Sequence, residues 1–158
     1  MDFVDTKTRS RMMSTVRGKD TQPELEIRRS LFAMGFRYRL HRTDLPGKPD
    51  LVFPKYSAVL FIHGCFWHQH GCKRSSLPKT RRSWWKEKLE RNHERDEEVV
   101  RVLNDGGWRV LLIWECSFRR TGINRRAALD EVVHTAVDFL HSETQLLEIP
   151  DTINDATD

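Results

Sequence analysis

Three histidines and two cysteines lie within ten residues of this chain, in the segment HGCFWHQHGC from His63 to Cys72. A further cysteine follows the apolar run WRVLLIWE, and the group offers a Cys₃His set: Cys65, His70, Cys72 and Cys116. Four such ligands suit a closed, tetrahedral structural zinc site with no open position for a substrate. The spacing Cys-x4-His-x-Cys is not one of the common zinc-finger spacings, so packed free thiols remain the alternative. A disulfide is a weaker alternative.

Two histidines of this segment are left over if zinc takes those four ligands. His63 and His68 would then be available near Asp50, which opens the apolar segment DLVF. Phosphodiester hydrolysis needs a metal at the phosphate, a base for water and a donor for the leaving oxygen. A carboxylate with a main-chain carbonyl and waters is a usual magnesium site. A lone aspartate at a strand start is common, however, and only the neighbouring histidines favour catalysis.

Two other carboxylates fall on apolar helix stripes. Glu24 continues the stripe of a helix predicted over 22–34, and either caps that helix in a box with Thr21 or serves a site. Asn92 and Asp96 fall on the inward stripe of a helix predicted over 83–104. An inward carboxylate needs a partner, so Asp96 either pairs with an arginine or orients a histidine.

The surrounding pattern alternates strands with helices. Strands are predicted over 36–40, from 50 to 53, over 58–62 and over 108–115, and a last helix over 126–141. This order predicts an α/β fold with a central sheet flanked by helices, and polar sites at the strand ends.

Charge favours a polyanionic partner. The formal net charge is +4, but residues 143–158 hold five acids and no base, so residues 1–142 carry about +9. Trp84 and Trp85 lie in an acid-free stretch with six basic residues, five of which are candidate DNA-backbone contacts: Lys73, Arg74, Lys79, Arg81 and Arg82. The sequence has no membrane-spanning run and no secretory h-region. We therefore expect a cytoplasmic protein with reduced thiols.

The ordered motifs resemble the Vsr family of very-short-patch-repair mismatch endonucleases. They are TRSRMMSTVRGKDTQPE, LPGKPDLV, HGCFWHQHGC, NHERD and GWRVLLIWEC, which together cover roughly residues 6–118. The resemblance implies a restriction-endonuclease-like (PD-(D/E)XK-type) mixed sheet and a Mg²⁺-dependent nick in double-stranded DNA. The nick would lie 5′ to the mispaired thymine of a T·G mismatch left by deamination of 5-methylcytosine.

The same resemblance assigns roles residue by residue. It implies that Mg²⁺ is held by Asp50 and the backbone carbonyl of Ile62, a position where a hydroxyl residue can occur in the family. The catalytic set would be Asp50, His63, His68, Glu24 and Asp96. The structural zinc ligands would be Cys65, His70, Cys72 and Cys116. Side chains wedged into the duplex would be Met13, Phe66 and Trp67, of which the two aromatics could otherwise be core residues.

The predicted organisation is a basic, DNA-contacting arm over 1–19, one endonuclease domain over 20–141 and a disordered acidic tail over 142–158. We expect a monomer in the bacterial nucleoid, acting with other mismatch-repair factors and a repair polymerase. One alternative is a non-catalytic zinc-containing DNA-binding module, which would not need Asp50, His63 and His68 together. A zinc hydrolase of small molecules is a second alternative, and the closed ligand set argues against it.

Overall fold

The computed structural model describes Lys7 and residues 21–119 and 122–150. The predicted arm over 1–19, with Met13, lies outside the described residues except for Lys7. The final residues, 151–158, lie outside them as well.

A five-stranded mixed sheet forms the centre of the described chain. Its strands are β1 (Arg39–Leu40), β2 (Leu51–Phe53), β3 (Ala58–His63), β4 (Arg109–Trp114) and β5 (Leu146–Ile149). They follow one another across the sheet in chain order. The first three strands pair antiparallel, and β3, β4 and β5 pair parallel. The predicted α/β class with a central sheet is therefore confirmed.

Helices cover both faces of this sheet. They are α1 (Gln22–Ala33), the single turn α2 (Cys65–His68), the long α3 (Arg82–Asp105) and α4 (Arg125–Leu140). The three long helices match the predicted ranges to within one or two residues. Short 3₁₀ turns follow β2, α2 and β4, at Pro54–Tyr56, Lys73–Ser75 and Glu115–Phe118.

Side-chain alternation along β3 and β4 divides the interior into two cores. Leu60 and Ile113 belong to the core that α1 and α4 cover. Phe61 and Leu112 belong to the core under α3, beside Leu103. Because successive strand residues point to opposite faces, His63 shares the α3 face with Phe61. The end of β3 therefore presents its histidine to the helix that carries Asp96.

The first strand is shorter than the predicted range 36–40. Helix α1 ends in a turn through Gly35 at φ +96°, and the N–H of Phe36 donates back to the Leu31 carbonyl. Phe36 is buried in the core without strand pairing. Pairing begins only at Arg39, opposite Val52. The alternation of apolar and basic residues over 36–40 is present in the sequence, but its first apolar residue, Phe36, lies in the buried turn after α1 and not in the strand.

The prediction of a disordered tail over 142–158 is wrong for residues 142–150. Residues 146–149 form β5, which pairs parallel with β4 from Val110 to Ile113. The acidic composition suggested a solvated segment, but Leu147 and Ile149 pack against the core beneath α4. Long-range pairing therefore extends the folded unit to at least 150.

Among residues 21–119 and 122–150, no helix has the length and apolar character needed to cross a bilayer.

Candidate active and metal centres

Two histidines stack at the end of β3. The rings of His63 and His68 have centroids 3.8 Å apart and planes 6° apart. His63 ends the strand, and α2 follows after Gly64 and carries His68 on its last residue. The N–H of His68 donates to the Gly64 carbonyl, which fixes the single turn. The tight loop thus brings the two predicted catalytic histidines together.

Asp96 of α3 holds the second histidine. Its Oδ2 lies 2.5 Å from His68 Nδ1, and the two side chains are 25% and 30% exposed. A carboxylate on Nδ1 favours a proton on that nitrogen and leaves Nε2 as an acceptor. The alternative pairing of Asp96 with an arginine is not what the geometry shows. Nearby, Asn92 donates to the Trp67 carbonyl at 3.3 Å, tying the same loop to α3.

His63 is the buried member of the pair. The pKa of His63 is lowered to about 3, mainly by burial and also by the neighbouring His68, while Asp96 opposes the shift. The ring also packs edge-on against Trp114, with centroids 5.2 Å apart. His63 is therefore neutral at physiological pH, and can donate or accept one hydrogen bond without carrying charge.

Asp50 lies beside this pair, on the opposite side of β3 from β4. Its Oδ2 accepts a hydrogen bond from the Ile62 backbone N–H at 2.7 Å. The N–H and C=O of one strand residue point to the same neighbouring strand, so the Ile62 carbonyl also faces the Asp50 side. The structure therefore brings together the two predicted magnesium-binding groups, a carboxylate and a main-chain carbonyl.

A second carboxylate lies next to Asp50. Burial raises the pKa of Asp50 to about 7, with the Ile62 hydrogen bond opposing the shift and the charge of Glu24 adding to it. Glu24 is only 1% exposed although it lies in the first turn of α1. Thr21 is the N-cap of α1 but makes no side-chain capping hydrogen bond, so its half of the predicted capping box is not formed.

Glu24 instead meets two basic side chains. Its Oε1 lies 2.9 Å from His41 Nε2 and 3.5 Å from Arg28 Nη1. Ligand atoms of Glu24, His41 and Asp50 all lie within 4.8 Å of one another. This cluster, which we call the carboxylate centre, suits a hard divalent cation, because the buried Glu24 and the half-buried Asp50 need positive charge between them.

The three cysteines form a second potential metal centre. The sulfurs of Cys65, Cys72 and Cys116 lie within 4.8 Å of one another, and all three are free thiols. Hydrogen bonding from Cys116 lowers the pKa of the Cys65 thiol to about 6, with burial opposing the shift and His70 among the further causes. His70 stacks on Trp114 at 4.5 Å. Clustered thiols with thiolate character are what zinc requires, so these donors fit the predicted ion.

A buried serine fastens the cysteine-rich loop. Ser75 is 8% exposed, donates its hydroxyl to the Cys65 carbonyl at 2.9 Å and accepts from Gly71 N–H at 3.1 Å. Gln69 adds bonds to the Phe66 and Ser75 carbonyls at 2.7 and 3.2 Å. The loop is therefore held by hydrogen bonds between its own side chains and backbone, in addition to any ion.

Aromatic side chains project beside the histidines. Phe66 and Trp67 contact each other edge-on at 5.1 Å and rest on Trp85, which is 5% exposed. Both are only half-buried, so they are neither core residues nor free in solvent. Lys88 Nζ lies 4.9, 5.7 and 6.0 Å from the ring centroids of Trp84, Trp85 and Trp67. A cationic, aromatic surface thus adjoins the paired histidines.

One predicted DNA-backbone contact lies directly at this surface. Arg81 stacks its guanidinium over Trp84 at 4.7 Å, which joins the basic run to the aromatic surface. Four of the five predicted contacts are exposed: Arg74, Lys79, Arg81 and Arg82. The side chain of Lys73 and all of Met13 fall outside the described residues, so their predicted roles stay predictions.

Sequence reasoning did not single out His41, Lys88 or Ser75. Lys88 could have been found, since it follows Trp84 and Trp85 at helical spacing. His41 stands alone after a short strand, and Ser75 is one of two adjacent serines. Nothing in their local pattern distinguishes these two from surface residues.

Comparison with known proteins agrees with the motifs. A sequence model of the family described as DNA mismatch endonuclease Vsr matches residues 1–74. The type II nicking enzyme V.XorIIP of Xanthomonas oryzae pv. oryzae is 46% identical over 121 residues, which cover 77% of this chain and 89% of that protein. The DNA mismatch endonuclease Vsr of Escherichia coli is 42% identical over 118 residues, covering 75% and 76%.

A more distant relative extends the match. The type II nicking enzyme V.NaeI of Lentzea aerocolonigenes is 40% identical over 141 residues, covering 84% of this chain and 76% of that protein. Proteins this similar in sequence share a fold over the aligned length. In this chain, that fold contains the paired histidines, the carboxylate centre and the three clustered cysteines. The chain therefore belongs to the Vsr family of DNA mismatch endonucleases.

Proposed function

We propose that this protein is a Mg²⁺-dependent endonuclease that nicks duplex DNA 5′ to the mispaired thymine of a T·G mismatch. The proposal rests mainly on one observation, namely that two groups of functional residues lie next to each other. One is the His68–Asp96 pair, whose Oδ2 to Nδ1 distance is 2.5 Å, and the other is Asp50 with its Ile62 hydrogen bond of 2.7 Å. A base and a cation site lie together, as phosphodiester hydrolysis needs.

Asp50 and the Ile62 carbonyl would hold the magnesium ion. Glu24, which lies next to Asp50, would supply a second negative charge. The raised pKa of Asp50, about 7, reflects burial and the nearby Glu24, and a cation would favour the ionised form of both. When bound, Mg²⁺ neutralises charge on the scissile phosphate and orients its oxygens.

His68 is the general base in this proposal. The Nδ1–H of His68 donates to Asp96, so Nε2 accepts a proton from the attacking water, and Asp96 stabilises the resulting imidazolium. Burial keeps His63 neutral, with a pKa of about 3, so His63 donates its one N–H to a phosphate oxygen. The water oxygen bonds to phosphorus as the bond from phosphorus to the leaving sugar oxygen breaks, and the leaving oxygen takes its proton from solvent.

The thiol cluster supports a structural role for zinc. Cys65, Cys72 and Cys116 supply three sulfurs. His70 would be the fourth ligand, as the resemblance implies, and would leave no open position for chemistry. An ion there would fix the loop over 65–72, which carries His68, to the end of β4, where Cys116 lies.

The aromatic surface supports a mismatch as the target. Phe66 and Trp67 sit on a loop held at both ends, so they can insert between base pairs without a large loss of conformational freedom. A T·G pair stacks less well than a matched pair and costs less to open. The mixed sheet with Asp50 at a strand start supports the restriction-endonuclease-like assignment, and other mismatch-repair factors and a repair polymerase would act on the nick.

A strand-resolved nicking assay tests the proposal. End-labelled duplexes with one T·G mismatch, in several flanking sequences, are compared with matched duplexes, with Mg²⁺ and without added divalent cation. We expect a Mg²⁺-dependent nick 5′ to the mispaired thymine, and none with His68→Ala although that variant still binds the duplex. Omitting Mg²⁺ is preferable to chelation, because a chelator would also remove zinc.

The assay also tests the non-catalytic alternative. Binding to the mismatch without any nick, in every flanking sequence, would favour a zinc-containing DNA-binding module. The conjunction of Asp50, His63 and His68 at one place argues against that alternative, because binding alone has no use for a base beside a cation site.

A further inference from the structure

One histidine at the carboxylate centre has no part in the mechanism above. His41 follows β1 directly, and its Nε2 lies 2.9 Å from Glu24 Oε1. One ligand atom from each of Glu24, His41 and Asp50 falls within 4.8 Å of the other two. Three segments that are separate in the sequence thus place an imidazole between two carboxylates.

The backbone at this histidine is held in an unusual conformation. His41 has φ +47°, in the left-handed region that residues with a Cβ seldom adopt. Its side chain is 24% exposed and faces a Glu24 side chain that is 2% exposed. The turn after β1 therefore directs the ring inward to the carboxylate centre instead of outward to water.

The donor set decides which ion the centre prefers. Mg²⁺ is bound almost entirely through oxygen, whereas the first-row transition ions also accept imidazole nitrogen, Mn²⁺ more weakly than the later ions of the row but more readily than Mg²⁺. We propose that His41 is a direct ligand of the divalent cation held beside Asp50, and that its nitrogen makes the centre bind Mn²⁺ more tightly than Mg²⁺. The ring binds as the neutral tautomer with its proton on the other nitrogen.

This inference rests on the proposed function in one respect only, namely that a divalent cation occupies the carboxylate centre. The competing role for His41 is an ion-pair partner of Glu24 that never touches the ion. The two roles differ in one observable, the presence of a histidine nitrogen in the inner coordination sphere.

Pulsed EPR of bound Mn²⁺ measures that observable without any DNA or turnover. The protein is first loaded with zinc, so that the thiol cluster cannot take up manganese, and is prepared with ¹⁴N- or ¹⁵N-histidine. We expect electron spin-echo modulation from a directly bound histidine nitrogen, changing with the isotope. The His41→Gln variant should lose that modulation and bind Mn²⁺ about 10- to 100-fold more weakly, with a smaller loss for Mg²⁺.

His134→Gln is the matched control, since His134 is exposed on α4 and its Nδ1 contacts the Asp130 carbonyl of the same helix. It should keep both the modulation and the affinity. If His41→Gln does not fold, His63→Gln and His68→Gln take its place, and the modulation should persist in both. Loss of the modulation in either of these variants would assign the nitrogen elsewhere and overturn the proposal.

Two further results would overturn it: Mn²⁺ bound to the wild type without nitrogen modulation, or modulation that persists in folded His41→Gln. Failure of the proposed function looks different. A protein that shows the His41 nitrogen but never nicks DNA would refute the endonuclease proposal and leave this one standing. A protein that nicks DNA but shows no histidine nitrogen bound to Mn²⁺ would support the endonuclease proposal and refute this one.

Discussion

The imidazoles of His63 and His68 lie face to face, 3.8 Å apart, and within the described residues only His68 contacts a carboxylate, Asp96. Two rings at this distance cannot both carry positive charge without strong repulsion. Asp96 shares a hydrogen bond with Nδ1 of His68, and burial keeps His63 neutral. The asymmetry of the pair therefore follows from one carboxylate on one side of the stack.

Asp96→Asn tests that asymmetry. The amide keeps the shape of the side chain but removes the charge that stabilises protonated His68, and it can also select the wrong ring tautomer. We expect the single-turnover nicking rate to fall about 10³- to 10⁴-fold, as in other carboxylate–histidine pairs, with duplex affinity nearly unchanged. Glu94→Gln, an exposed change on the same helix, is the control. A rate within a few-fold of wild type would contradict the assignment.

Asp50→Asn should stabilise the protein in the absence of Mg²⁺. The pKa of Asp50 is about 7 in the folded chain against an ordinary value of 3.8, so the folded chain retains a proton that the unfolded chain releases. The wild type therefore loses stability as pH rises from about 4 to 7, and the loss is complete above 7. Asparagine carries no charge and can still accept the Ile62 N–H.

Urea unfolding from pH 4 to 8, without divalent cations other than zinc, measures this difference. The free energy of unfolding of the variant minus that of the wild type should grow with pH and level off above 7, at no more than about 4 kcal/mol. Adding Mg²⁺ at pH 8 should stabilise the wild type and leave the variant unaffected. A difference independent of pH would show that Asp50 is ionised throughout.

Gly47→Ala should destabilise the loop that leads to Asp50. Gly47 has φ +74°, and a Cβ there would lie 2.5 Å from Val99 Cγ1 on α3. Backbone strain and overpacking together should cost about 2–4 kcal/mol in the free energy of unfolding. Gly107→Ala is the matched control, with φ +89° and nothing within 4 Å of its Cβ. Equal losses for the two variants would mean that the close approach to Val99 contributes nothing.

Cys116→Ala should lower zinc content and thermal stability together. Cys116 is the one cysteine contributed from outside the loop over 65–72, so its removal detaches that loop from the end of β4. We expect less than one zinc per chain by metal analysis after dialysis, and a lower melting temperature. Ser117→Ala removes a neighbouring hydrogen bond, from Oγ to the Trp114 carbonyl at 2.6 Å, and should lose stability without losing zinc. A stable Cys116→Ala protein with full zinc content would exclude Cys116 as a required ligand.

Periodicity predicted the parts of the site that regular elements position. Asp96 was predicted to face inward because its helix stripe runs through Leu89 and Leu103, both of which are buried. His63 was found because it ends a continuous apolar strand. In these cases one local repeat sets the direction of the side chain, and the sequence displays that repeat.

The parts of the site and of the sheet that the sequence did not predict depend on turns and on pairing between distant segments. The direction of His41 follows from a positive φ after a two-residue strand, which no repeat encodes. The strand β5 has four residues in an acidic stretch, and forms because β4 offers it a partner edge. Contacts of this kind are properties of the assembled fold, and composition alone pointed the other way for residues 142–150.

The last strand also bears on how the molecule can be handled. Glu148 accepts a hydrogen bond from Trp114 Nε1 at 3.2 Å, and the Trp114 ring packs against both His63 and His70. A version shortened to residue 141 would leave one edge of β4 bare and Trp114 without its brace, inviting self-association through the open edge. A C-terminal affinity tag or fusion partner therefore belongs after residue 150, where it leaves the pairing of β5 with β4 and the Glu148–Trp114 hydrogen bond intact.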